Sequence, residues 1–92
     1  MKIVVIDGQG GNVGKLLIER LKNKFEDAQI IAVGTNSIAT ANMLKAGVRQ
    51  GATGENATIV NCRDADYIVG PIGIVIADSL LGEITPAMAV AV

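Results

Sequence analysis

Ile3-Val4-Val5-Ile6 runs without a break into Asp7-Gly8-Gln9-Gly10-Gly11-Asn12-Val13-Gly14. A continuous aliphatic run is how a parallel strand covered on both faces reads, because neither side of its pleat meets water. A glycine-dense turn that opens a helix is how α/β proteins bring backbone N–H groups up to a phosphate. The fold class follows: α/β, a small parallel sheet between helical layers. No catalytic constellation accompanies the turn, so the stretch reads as a binding frame rather than as a reaction centre.

Working outward, Val13, Leu16, Leu17, Leu21 and Phe25 recur at helical spacing, with Lys15, Glu19, Arg20, Lys22, Asn23 and Lys24 mostly between them. That spacing predicts an amphipathic helix from about Asn12 to Lys24. A second strand is expected at Ile30-Ile31-Ala32-Val33. It ends in Gly34-Thr35-Asn36-Ser37, short residues suited to capping a helix with Ile38, Ala41, Met43 and Leu44 as its apolar face and Gly47 as its stop. Val48-Arg49-Gln50 reads as a brief extended piece, and Gly51-Ala52-Thr53-Gly54-Glu55-Asn56 as a second glycine-rich turn opening a short helix through Ile59, Val60 and Cys62. Tyr67-Ile68-Val69 is then a third buried strand, ending in Gly70-Pro71-Ile72-Gly73. Strand, helix, strand, helix, helix, strand is half of a Rossmann-like doubly wound sheet. Right-handed crossovers give it the strand order 2-1-3 in a three-layer sandwich.

The last part of the chain is less regular. Ile74-Val75-Ile76-Ala77 reads either as the start of a helix or as more strand; Gly82 and Pro86 interrupt, and Ala87-Met88-Ala89-Val90-Ala91-Val92 opens another helix. So apolar an end is expected to pack on the sheet or on another subunit, or to belong to a chain shortened at its C-terminal end.

The 92 residues make a single domain, 1–92. Half are hydrophobic and only 2% aromatic, so the core must be Ile, Val, Leu and Ala. A net charge of −1, with acids and bases scattered and few aromatic stacking platforms, argues against nucleic acid as a partner. Cys62 is alone and no histidine is present to activate it or to complete a metal site. It is expected to pack as a small apolar residue, in a reducing cytoplasm. No apolar run approaches the roughly 20 residues of a membrane crossing, so no membrane partner is expected either.

In an open parallel sheet, ligands bind beyond the carboxyl ends of the strands, where the winding reverses. Each predicted strand ends there in glycine or short polar residues. The candidate binding residues are Gly8, Gln9, Gly10, Gly11, Asn12 and Gly14 for a phosphate, Thr35 and Asn36 for a ribose or base, and Gly54, Glu55, Asn56, Gly70 and Gly73 for the rest of the ligand. Gly8, Gly11 and Gly14 have the G-x-x-G-x-x-G spacing of some dinucleotide-binding reductases; G-x-G-x-x-G would need glycine at Val13, and there is no Walker Gly-Lys-Ser/Thr. The acid that holds the ribose of NAD at the end of a second strand is missing, and Thr35 and Asn36 stand there instead. A phosphate-bearing nucleotide or dinucleotide such as NAD(P) is the expected ligand, with NAD, NADP and other nucleotides left open. The alternative is a structural or regulatory module that forms a homo-oligomer or binds a partner protein.

Asp7 and Glu55 are the acids placed for catalysis, though neither shows a paired arrangement. Asp7 suits a metal ion or a ligand hydroxyl, and equally an acid bonded to the amides of its own turn. Glu55 reads as a ribose ligand or as a charge favoured at a helix N-terminus. Glu83, in Gly82-Glu83-Ile84-Thr85-Pro86, reads as facing the same rim or as a solvent-exposed acid before a helix. Tyr67 begins a strand at the far end and no Tyr-x-x-x-Lys follows it.

Val5-Ile6-Asp7-Gly8-Gln9-Gly10-Gly11, Gly34-Thr35-Asn36 with Ala39-Thr40, Met43-Leu44-Lys45-Ala46-Gly47, Gly51-Ala52-Thr53-Gly54-Glu55-Asn56, Gly70-Pro71-Ile72-Gly73 and Gly82-Glu83-Ile84-Thr85-Pro86 together resemble a small bacterial family catalogued only as a domain of unknown function. The resemblance spans essentially the whole chain. It brings no activity, and implies a cytoplasmic Rossmann-like protein whose members run on for another strand and helix after the position of Val92.

Overall fold

The computed structural model describes residues 1–92. In chain order the elements are β1 (Lys2–Asp7), α1 (Asn12–Lys24), β2 (Gln29–Gly34), α2 (Ser37–Leu44), β3 (Gln50–Thr53), α3 (Glu55–Cys62), β4 (Tyr67–Val69), a 3₁₀ turn (Ile72–Val75) and α4 (Pro86–Ala91). The strands form one parallel sheet in the order β3-β2-β1-β4.

The expected order 2-1-3 therefore lacked a strand. Gln50–Thr53, read from the sequence as the end of an extended piece and the start of a turn, pairs with β2 from Ile31↔Gln50 to Gly34↔Thr53. It is an edge strand whose Gln50, Gly51 and Thr53 are exposed, so it needs no aliphatic run. The other three strands keep their expected neighbours, with β1 between β2 and β4.

Alternation along β1 divides the core. Ile3 and Val5 pack with Ile18, Ile30, Ala32, Met43 and Ala46 on the face covered by α1 and α2. Val4 and Ile6 pack with Ile31, Val33, Ile74, Ile84 and Met88 on the face of α3 and α4. Full burial of one such side chain contributes about 1.5–3 kcal/mol, so the two small clusters carry most of the stability.

Helix α1 has the expected bounds, and Leu17 and Leu21 of the expected face pack on the first cluster, but the most buried line is shifted from them. Gly14 and Ile18 are buried, whereas Val13 and Leu16 are about half exposed, at 51% and 52%. The cause is Gly14, which lies against the side chains of Met43 and Asp7 and lets the helix settle along the Gly14–Ile18 line. In α2 the inward residues are Ala39, Thr40 and Met43, while Ile38 points out at 71% exposure. Strand β4 is an edge rather than a buried strand: Tyr67 is exposed and only β1 pairs with it.

After β4 the chain makes neither strand nor α-helix at Ile74–Ala77. The 3₁₀ turn buries Ile74, and a loop follows that buries Ile84 before Thr85 caps α4 by accepting the Met88 N–H at 3.2 Å. Met88 is buried and Ala89 and Val92 pack beside it on the second cluster, which seats the apolar end on the sheet, although Val90 stays 87% exposed. Cys62 borders the second cluster, and loss of hydration there pushes its thiol pKa up against the opposing charge of Lys2.

Candidate functional site

The chain builds β1, β2 and β3 outward on one side, then crosses to the other side of β1 for β4. The winding reverses between β1 and β4, and the carboxyl ends of those strands are where an open parallel sheet forms its crevice. Asp7 ends β1 there. It is 5% exposed, and its two carboxylate oxygens accept the N–H groups of Gly8 at 2.8 Å and Gly14 at 2.6 Å. Of its two readings from sequence, the geometry is that of an acid closing its own turn. Its charge also sits at the positive end of α1.

Gly11 has φ +76°, and a Cβ there would stand 2.6 Å from the Ala39 carbonyl oxygen. Gly11 and Gly14 are thus accounted for by the approach of α1 to α2 and β1. The backbone N–H groups of Gly10, Asn12 and Val13 have no acceptor within the chain, and all three residues are exposed. The turn thus holds one carboxylate internally and leaves three N–H donors at the start of a 13-residue helix.

Glu83 takes the rim-facing alternative. Its Oε1 accepts the Gln9 N–H at 2.8 Å, the Asn36 Nδ2–H at 2.8 Å and the Thr35 hydroxyl. No hydrogen bond of the chain reaches its Oε2. The bond from Thr35, followed by that from Gln9, holds the carboxyl below the usual glutamate range. Asn36 is itself locked in orientation, since its Oδ1 caps α2 by accepting the Ala39 N–H at 2.8 Å and its Nδ2 also donates to the Gln9 carbonyl at 3.0 Å. Thr35 and Asn36, expected to meet a ribose or base themselves, spend their side chains on Glu83.

The loop that delivers Glu83 is closed on itself. Its neck is the Asp78 N–H donating to the Ile84 carbonyl at 2.7 Å, and inside it the N–H of Gly82 bonds to Asp78 and that of Glu83 to Leu80. Asp78, Leu80 and Leu81 adopt φ of 66°, 54° and 57°. Left-handed backbone costs roughly 1–2 kcal/mol for each non-glycine residue, so the loop is held in place by the contacts it makes. Leu80 supplies one, lying close to both Gly8 and Gly73 and filling the gap between the first and last strand-end turns.

The remaining candidates lie farther along the rim. The Gly54 N–H bonds the Gly34 carbonyl at 2.8 Å, Glu55 accepts the Thr85 hydroxyl at 2.6 Å, and Asn56 is exposed. Gly70 presses on the Ile6 carbonyl, and Asn12 accepts from Asn42 at 2.7 Å. Asp7 and Glu55 are thus each committed to a hydrogen bond within the chain.

Three contributors escaped the sequence reading. Asn42 holds the glycine turn by donating to the Gly10 carbonyl at 2.9 Å, and Thr40 bonds Thr53 Oγ1 at 2.7 Å across to β3. Both are weak helix formers inside a short helix, a usable signal. Leu80 carries no such signal. A cavity of about 510 Å³ opens at the other end of the sheet, among Lys22, Phe25, Gln29, Val48, Arg49 and Gln50, away from the rim. No three His, Cys, Asp or Glu side chains gather as a metal cluster, and no helix is long and apolar enough to cross a membrane.

Residues 2–92 match the family described as Domain of unknown function (DUF3842), and the chain belongs to that family. No curated protein and no solved structure matches it.

Proposed function

We propose that this Rossmann-like domain binds a phosphate-bearing small molecule, a nucleotide or dinucleotide such as NAD(P), at the carboxyl ends of β1, β2 and β4. The observation that carries the reading is the set of free N–H groups of Gly10, Asn12 and Val13, at the N-terminus of α1 beside the reversal in strand order. Donors aligned with a helix dipole favour an anion. The test is a thermal-shift panel of pyrophosphate, NAD, NADP, ATP and coenzyme A, followed by amide chemical shifts. A ligand at a hundred times its Kd adds roughly 2.7 kcal/mol to stability, and the amides of Gly10, Asn12 and Val13 should move first. A panel that shifts neither the melting temperature nor those amides would refute the reading.

A second reading is a homo-oligomer or partner-binding module. It is favoured by the open edge of β4 together with the exposure of Tyr67 (60%), Ile72 (78%) and Leu81 (95%). Sedimentation over a range of concentrations tests it, and a monomer that stays folded on dilution counts against it.

A further inference from the structure

The sheet lacks, at the end of its second strand, the acid that would hold a ribose; Thr35 and Asn36 occupy that position. A carboxylate is nevertheless present there, brought from far along the chain. We infer that Glu83 is the ribose-binding acid of the site: anchored through Oε1 on Gln9, Thr35 and Asn36, it offers Oε2 to the 2′- and 3′-hydroxyls of a ribonucleotide and selects against a 2′-phosphate. The inference rests on the nucleotide-binding reading above and adds the ligand class to it.

Four observations support the assignment. The anchoring donors come from the first turn and from the end of β2, the two segments between which a nucleotide ribose lies in this topology. Each is neutral, so no cation cancels the charge that a diol would hydrogen-bond and a phosphate would meet as repulsion. One oxygen is saturated and the other free, so the carboxylate is oriented before any ligand arrives and keeps acceptor capacity for it. The residues that deliver it, Asp78, Leu80 and Leu81, sit in the left-handed region, a conformation that persists only where its surroundings demand it and that gathers at ligand clamps. The geometry also joins the two halves of the ligand: Glu83 binds the N–H of Gln9, and the free N–H groups begin at the next residue, Gly10.

The experiment is calorimetric titration of the wild-type protein, Glu83→Gln and Glu83→Ala with NAD, NADP and pyrophosphate. Glu83→Gln keeps the shape and the anchoring acceptor while removing the charge, and amide exchange in β1 and β2 reports whether each variant is folded. The wild type should prefer NAD to NADP by roughly tenfold to a hundredfold, the worth of hydrogen bonds to a charged group. Glu83→Gln should erase most of that preference and leave pyrophosphate affinity within about threefold, since the phosphate donors are untouched. Equal wild-type affinity for NAD and NADP, or a preference that survives in folded Glu83→Gln, overturns the role of Glu83. Pyrophosphate binding in that case leaves the anion site standing. Absence of binding by all three ligands to the wild type overturns both.

Discussion

Gly10 and Gly11 are adjacent and chemically identical, yet the fold constrains them differently. The nearest atom to a Cβ on Gly10 is Asn12 Nδ2 at 3.7 Å, whereas a Cβ on Gly11 meets the Ala39 backbone at a positive φ. Gly10→Ala should leave stability within about 0.5 kcal/mol, as for an ordinary surface change. Gly11→Ala should cost about 3 kcal/mol or more, from overpacking added to backbone strain, and urea unfolding of the pair reads the difference. Glu83 makes a pH-dependent case. Its folded pKa lies below its unfolded value, so its contribution is complete above the ordinary glutamate range and is lost as pH falls through the lowered value. The Gln9 and Thr35 amide shifts should therefore titrate in acid, below the usual range for glutamate, and a flat response there would contradict the anchoring. Of these residues the sequence discloses the glycines and leaves the acids ambiguous, because where Asp7 and Glu83 point depends on neighbours outside their local windows.

Among the elements, β1, α1, β2 and β4 are legible because their residues match one period or one aliphatic run. β3 is not: an edge strand of Gln50-Gly51-Ala52-Thr53 has no buried face to impose alternation, and its glycine imitates a turn. Besides the ladder, β3 is held at its start by Gln29, which donates to Gln50 Oε1 at 2.9 Å, and at its end by Thr40, which bonds Thr53 Oγ1 at 2.7 Å and the Ala52 carbonyl at 3.2 Å. Thr40→Val should destabilise by about 1–3 kcal/mol, because the Thr53 hydroxyl and the Ala52 carbonyl both lose their partner. Hydrogen exchange should quicken in β3 while β1 and β2 keep their protection; uniform acceleration across the sheet would contradict a local role. The α2 cap belongs to the same scale. Asn36→Ala should cost about 1 kcal/mol for the cap alone, and it should also loosen Glu83, visible as a Glu83 pKa moved back toward the normal range.

Over the whole molecule, the two clusters on opposite faces of the sheet are joined only through β1 and β2, and the second depends on residues that arrive late in the chain. Ile84 is fully buried there, so Ile84→Ala should cost about 2–5 kcal/mol, a large share of the 5–15 kcal/mol typical of a folded domain. It should also free the loop that carries Glu83, coupling a core substitution to the ligand preference proposed for that residue. None of this is visible in a linear reading, because Ile84 finds its partners Val4 and Ile6 near the other end of the chain. The closed neck of that loop has one more consequence. With the Asp78 N–H bonded to the Ile84 carbonyl at 2.7 Å and Leu81 95% exposed at the tip, none of the hydrogen bonds that close the loop involves its outermost residue. The side chain of Leu81 is thus a natural attachment point, where Leu81→Cys could carry a fluorophore that reports the position of the loop without breaking the bonds that Gly82 and Glu83 make across it.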